Sequence, residues 1–265
     1  RSGRLHRCES RRPIQARALP LLALIYILTK WINSMNQKSV IITQSNYIPW
    51  KGYFDSINLM DEVVLYDDMQ YTKRDWRNRN KIKTNNGLTW LTIPVEVKGK
   101  FNQKINETLT VDDKWRIKHW RSIESNYKKA PYFDEYSEVF KPLYLESNER
   151  NLSEINFKFI EVVNKILGIS TVLRRSSEFD LIEGKTERLA DLCEKLNANV
   201  YYTGPSAKDY IEDKSFSSRN IEIKYLDFSG YSEYPQLFGK FEHAVSVLDL
   251  IFNCGEESTK FLKSF

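Results

Sequence analysis

The chain is poor in the residues that build metal centres and disulfide frameworks: its 265 residues hold three cysteines and three histidines. Cys8, Cys193 and Cys254 are too widely spaced for a CxxC pair or a disulfide scaffold, which suits a reducing compartment, and the expected location is the cytoplasm. Beyond residue 34 the only histidines are His119 and His243, too few for a histidine zinc site, so no metal is expected. Long apolar runs are missing too. The stretch LPLLALIYIL, Leu19 to Leu28, falls well short of the ~20 residues a membrane helix needs, so no stable membrane insertion is expected. Also missing is a chain-wide excess of positive charge. The net charge is +5, but residues 1–34 carry seven basic side chains against the single acid Glu9, leaving −1 for the remainder. A near-neutral body argues against DNA binding. Residues 1–34 read as a non-native or targeting extension, expected to be disordered. Met35 then opens MNQKSVIIT like a natural amino terminus, and 35–265 is expected to form a single α/β domain.

Aromatic residues, by contrast, are plentiful: 13% of the chain, with 15 Tyr and 6 Trp. Four of them crowd into QSNYIPWKGYF, Gln44 to Phe54, directly after the β-branched run SVIIT. That run and DEVVLYDD read as two buried strands, and Tyr53, Phe54, Ile57 and Met60 fall at helical spacing between them. The unit is strand, loop, helix, strand of parallel-sheet type. NNG between RNKIKT and LTWLTIPV marks a hairpin. Residues 112–168 change to helical periodicity, and alternation of strand and helix then resumes through TVLRRSSEF, TERLADLCEKLN, NVYYTG and IEIKYLDF before the helix in HAVSVLDLIFNCG. The expected fold class is α/β, a Rossmann-like, mostly parallel sheet with an antiparallel hairpin extension and a helical insertion.

Loops after the strands of such a sheet sit at its carboxyl edge, where α/β folds place ligands. In the first loop Gln44, Ser45 and Asn46 offer polar groups, Tyr47 and Trp50 offer stacking faces, Pro49 stiffens the turn and Gly52 permits close approach, a combination suited to a sugar or a base. Tyr53 and Phe54 suit helix packing equally well. In the second, Asp67 and Asp68 are candidates for general base, amine ligand or Mg²⁺ ligand, with loop capping as their plain role. Gln70 follows them, and then a strip of Lys73, Arg74, Arg77, Arg79, Lys81 and Lys83 against only Asp75. Such clustering suits phosphate, and Asn78 and Asn80 interleaved in it favour a ligand over a merely solvated strand. The third loop, TGPSAKDY, brings Gly204, Ser206, Lys208, Asp209 and Tyr210 together without P-loop spacing; a Lys208–Asp209 pair closing the turn is its plain reading. His243, Ser246 and Asp249 lack a nucleophile elbow and the spacing of a hydrolase triad; His243 reads first as a cap and otherwise as a reserve catalytic base.

The segments QSNYIPWKGYFDSINLMDEVVLYDDMQYTKRDWRNRNKI, WLTIPV, YYTGPSAKDYI and FEHAVSVLDLIFNCG together resemble the WbqC-like protein family, found among genes for O-antigen and other surface polysaccharides. The resemblance covers Ser39 to Gly255. The family usually has proline after the first glutamine, where this chain has Ser45, a change that spares the polar groups of the loop. It implies transfer of glycine or another aminoacyl group to an amino sugar. The expected partner is then a nucleotide-linked amino sugar or similar phosphate-bearing glycan precursor. No cofactor is expected beyond an activated amino-acid donor, and contact with other polysaccharide enzymes is a further expectation. Asp67 or Asp68 would act on the amine while Lys73, Arg77 and Arg79 hold phosphate. Two other readings stand beside it: a non-catalytic sugar-nucleotide-binding or assembly protein, and a nucleotidyltransferase-like enzyme, whose signature histidine pair is absent because no histidine lies between His6 and His119.

Overall fold

The computed structural model describes residues 37–209 and 211–265, so the expectations for residues 1–34 and for Tyr210 lie outside the described residues. Five short strands, β1 (Ser39–Thr43), β2 (Glu62–Leu65), β5 (Val172–Arg175), β6 (Val200–Thr203) and β7 (Glu222–Tyr225), form an all-parallel sheet in the order β5-β2-β1-β6-β7. Its centre is apolar on both faces, as parallel strands covered by helices must be. Ile41, Val63 and Leu65 point into one core; Val40, Ile42 and Val64, one residue out of phase, point into another. The first core lies against α1 (Lys51–Asn58), whose Tyr53, Phe54 and Ile57 are buried at the spacing the sequence predicts. The second holds Ala190, Leu192 and Cys193 of α5 (Lys185–Lys195) and Phe216 of α6 (Asp213–Ser217).

The chain makes a long excursion between β2 and β5. Strands β3 (Arg79–Thr84) and β4 (Gly87–Thr92) form the hairpin that NNG announces, with Gly87 at φ +98° in the turn. The hairpin pairs with itself alone, so the antiparallel extension is a separate two-stranded sheet. Three helices follow, α2 (Lys114–Tyr127), α3 (Phe133–Leu145) and α4 (Leu152–Leu167). They join α7 (Val247–Cys254) in an aromatic core in which Trp120 stacks on Phe133 and Phe252 touches Tyr127, Phe133 and Phe140.

The strand order decides where a ligand can sit. From β1 the chain moves outward through β2 to β5, then crosses to the other side of β1 for β6 and β7. The reversal puts a topological switch point between the carboxyl ends of β1 and β6, where open α/β sheets leave a crevice. The loops leaving those two ends are Gln44–Trp50 and Gly204–Asp209.

Candidate functional site

The loop after β1 is held rather than free. Ile48, a β-branched residue, sits at φ +37°, a conformation such side chains rarely adopt. Asn80 secures it: its Nδ2 donates to the carbonyls of Ile48 (2.8 Å) and Tyr47 (3.3 Å). Asn78 is likewise buried and donates to the Ile93 carbonyl at 2.7 Å. Both amides therefore brace backbone, Asn80 that of the β1 loop and Asn78 that following β4; of the two, only Asn80 also borders a cavity. Tyr47 is fully buried, so its ring is no stacking face for a ligand. Its hydroxyl lies 2.9 Å from His119 Nδ1 and 2.8 Å from the Tyr144 hydroxyl, and burial raises its pKa well above the ordinary phenol value. Arg77 donates to Asn46 Oδ1 and to the carbonyls of Gln44 and Ser45, with Asp75 3.6 Å away, which makes it a strut across the loop.

Two cavities open near the carboxyl ends of the strands, the first of them beside this loop. The first, about 290 Å³, is walled by Asn46, Pro49, Trp50, Trp76, Asn80 and Ala244. Trp50 is placed edge-on against Phe228 and Tyr231, and its indole lies over the backbone of Gly52, where a Cβ would come within 2.3 Å of the ring. Glycine is required there by that contact. The second cavity, about 380 Å³, opens beside the ends of β2 and β5 and is strongly polar, with Asp67, Lys104, Asn106, Ser153, Glu154 and Arg175 among its walls. Asp67 is buried, accepting from the Ser45 N–H (2.8 Å) and from the Ser153 hydroxyl. Ser45 Oγ in turn accepts from Asn156 at 3.0 Å. Asp68 accepts from Ser176 (2.6 Å), Asn106 (3.2 Å) and, loosely, the exposed Lys104 (3.4 Å). Burial works to raise the Asp68 pKa, but these donors outweigh it and hold the carboxyl below the ordinary range. Asn46 walls the first cavity, and its neighbour Ser45 is joined to the second through the hydrogen bond to Asp67.

The remaining sequence candidates are spread around this centre. Gln70 is exposed and donates to the Phe101 carbonyl at 2.9 Å, and Lys73 is exposed. Gly204, Ser206, Lys208 and Asp209 stand on the β6 side of the switch point; Lys208 lies over the Tyr225 ring at 4.8 Å. His243 is exposed against Phe241 and precedes the cavity residue Ala244. It caps nothing: Ser246 caps α7, accepting from the Leu248 N–H, and Asp249 is buried between the hydroxyls of Tyr127 and Tyr234. Burial lifts the Cys193 and Cys254 thiols to about 12 and about 11, which keeps both protonated and unreactive at neutral pH.

Three features carried no usable signal in the sequence. Trp76 and Trp90 meet across the loop and the hairpin, ring centroids 5.4 Å apart. Lys51 is buried in a cage of Tyr231, Tyr234 and Phe241 and donates to the Ser232 carbonyl. Arg175 and Lys104, which bring positive charge to the polar cavity, come from segments far from Asp67 in the chain.

Among the described residues no helix is long and apolar enough to cross a membrane. No solved structure matches the chain. The curated relative "Uncharacterized protein Rv1507c" of Mycobacterium tuberculosis (strain H37Rv) is 51% identical over 226 residues, covering 85% of this chain and 98% of the relative. A family model matches residues 44–261, a span that takes in the β1 loop, both carboxylates, the hairpin and the β6 loop, and the chain belongs to the WbqC-like protein family.

Proposed function

We propose that the chain acts in surface polysaccharide biosynthesis as an aminoacyltransferase of the glycine type, binding a phosphate-linked amino sugar at the carboxyl edge of the sheet and acylating its amine. The observation that carries this reading is the cavity between Trp50 and Trp76. It offers indole surface from Trp50 and Trp76 for the apolar face of a sugar and the Asn46 amide for a hydroxyl, while Asn80, committed to the loop carbonyls, shapes the wall. Its 290 Å³ falls just below the roughly 300–1,000 Å³ usual for small-molecule sites, a fit for one sugar ring rather than a whole sugar nucleotide.

Of the two carboxylates, Asp68 is the one able to meet an amine. Asp67 is buried and committed to Ser45 and Ser153, whereas Asp68 can exchange its loose, exposed Lys104 contact for a substrate ammonium. In the transfer the bound ammonium first gives one proton to Asp68, which releases it to solvent; the freed amine lone pair then attacks the acyl carbonyl carbon, the new C–N bond forms, and the donor's leaving group departs with the electron pair of the acyl bond. The second amine proton then passes to Asp68 and on to solvent. No enzyme nucleophile is needed, in keeping with two buried, protonated thiols.

One feature favours the binding reading instead: all four oxygens of Asp67 and Asp68 already accept hydrogen bonds. The experiment is mass spectrometry of nucleotide-linked amino sugars incubated with the protein and activated aminoacyl donors, with calorimetry in parallel. An added aminoacyl mass that is lost in Asp68→Asn supports transfer. Binding that is lost in Trp50→Ala, with no transfer from any donor, supports a non-catalytic role. Neither binding nor transfer overturns both.

A further inference from the structure

The aromatic cavity is too small for a nucleotide and a sugar together, and the surface beside it is built in a way that folding alone does not require. On β3 and β4 the side chains alternate, and the register that pairs Lys81 with Trp90 and Arg79 with Thr92 puts Arg79, Lys81 and Trp90 on the outward face. The Arg79 guanidinium lies 4.1 Å from the Trp90 ring centroid and the Lys81 ammonium 4.9 Å. Trp90 remains 40% exposed and Trp76, which also walls the cavity, 42% exposed. Two indoles left this open in water are unfavourable unless something covers them. The cations beside them lie against Trp90 but are not neutralised. Among the described residues neither Arg79 nor Lys81 has a carboxylate partner, and Arg79 Nε is buried without any acceptor, its terminal nitrogen reaching only the Arg74 carbonyl. A purely apolar partner would not need the cations, and a bare anion would not need the indoles.

We propose that Trp76, Trp90, Arg79 and Lys81 form a nucleoside-diphosphate subsite continuous with the aromatic cavity. The base stacks on the indole pair while the diphosphate spans Arg79 and Lys81 toward the sugar. This rests on the sugar-binding reading above and names the carrier attached to the sugar. The same diphosphate chemistry could come from a polyprenyl carrier; the planar indole pair selects the base.

The test is fluorescence and calorimetric titration of the full chain with uridine diphosphate, thymidine diphosphate, inorganic pyrophosphate, farnesyl diphosphate and glucosamine 1-phosphate. A nucleoside diphosphate binds and quenches tryptophan emission. Trp90→Ala weakens it roughly 5- to 100-fold, the loss expected for one base–indole stack, and Trp90→Phe recovers most of that. Arg79→Ala and Lys81→Ala weaken pyrophosphate as well, whereas Trp90→Ala leaves pyrophosphate and glucosamine 1-phosphate unchanged. Unchanged nucleoside diphosphate affinity in Trp90→Ala overturns the proposal. So does farnesyl diphosphate binding in preference to both nucleotides, or binding to single-stranded oligonucleotides that tightens with length. If nucleotide binding depends on Trp90 but glucosamine 1-phosphate binding does not depend on Trp50, the subsite stands and the sugar-binding reading falls.

Discussion

Lowering the pH from 7.5 to 5.0 should remove about 2 kcal/mol of stability through one side chain, His119. The imidazole is 6% exposed, with Nε2 3.2 Å from the Thr92 carbonyl and Nδ1 2.9 Å from the Tyr47 hydroxyl. A carbonyl only accepts, so Nε2 carries the proton, Nδ1 accepts from Tyr47, and Tyr47 accepts from Tyr144. A second ring proton has no place in this arrangement. Burial lowers the His119 pKa to about 4, against the smaller opposing pull of the Thr92 carbonyl. In the unfolded chain the group titrates near 6.5, so the unfolded state takes up the proton first. The stability is fully present above pH 6.5 and is lost as pH falls from there toward 4, about 3 kcal/mol in all and about two-thirds of it by pH 5. With a urea dependence of about 2–3 kcal/mol per molar, the unfolding midpoint should drop by roughly 0.7–1 M between pH 7.5 and 5.0. His119→Gln is the control, since its amide can donate to Thr92 and accept from Tyr47 without titrating. Its midpoint should shift far less between the two pH values. An equal shift in the variant, or a wild-type shift of under about 0.2 M, would refute the reasoning. Because Tyr47 anchors the strained loop at Ile48, ligand binding at the aromatic cavity should hold down to about pH 5 and weaken only as the folded protein itself takes up the His119 proton near pH 4.

Three further outcomes follow from individual contacts. Gly52→Ala, a change worth about 0.5–1 kcal/mol of stabilisation in an ordinary helix, should here destabilise by about 1–3 kcal/mol, because the new Cβ collides with a Trp50 indole already packed on Phe228 and Tyr231; thermal melting reads it, and a raised melting temperature would contradict the contact. Lys51 is depressed to about 8 chiefly by burial, so the unfolded chain holds its proton longer and stability should rise by about 1 kcal/mol from pH 7 to 9, a rise that Lys51→Met abolishes in urea titrations at both pH values. Asp67→Asn can keep Oδ1 on the Ser45 N–H, but the Ser153 hydroxyl must turn to accept from the new NH2 and both bonds lose their charge assistance, a cost of about 1–2 kcal/mol, while Asp68→Asn, with its loose Lys104 contact, should cost less; equal melting temperatures for the two variants would undo that distinction.

Much of the architecture could be read locally. Short β-branched apolar runs mark the buried strands, NNG marks the hairpin, and helical spacing of Tyr53, Phe54 and Ile57 marks α1, because each pattern depends on residues within one or two turns of each other. The same locality puts Gln44, Asp67 and Gly204 just beyond strand ends, so the edge that carries the site was legible before any pairing was known. What each candidate does there was not. Asn78, Asn80 and Arg77 look alike as members of a basic, amide-rich strip, yet Asn80 became a brace for the β1 loop, Arg77 its strut and Asn78 a tie to the chain just after the hairpin, since their partners lie 15 to 33 positions away.

The sequence by itself determined the elements and the loops that follow the strands, through short-range periodicity and turn residues, and the family, through its motifs. Only the tertiary structure decided the order β5-β2-β1-β6-β7, which creates the switch point, and the burial that turned Tyr47 from a stacking face into part of the core. It also decided the meeting of Trp76 with Trp90, and of Asp67 with Ser153 across 86 residues. Burial and hydrogen-bond partnership are properties of what lies across space, and a local pattern carries no record of which distant segment will arrive to supply them.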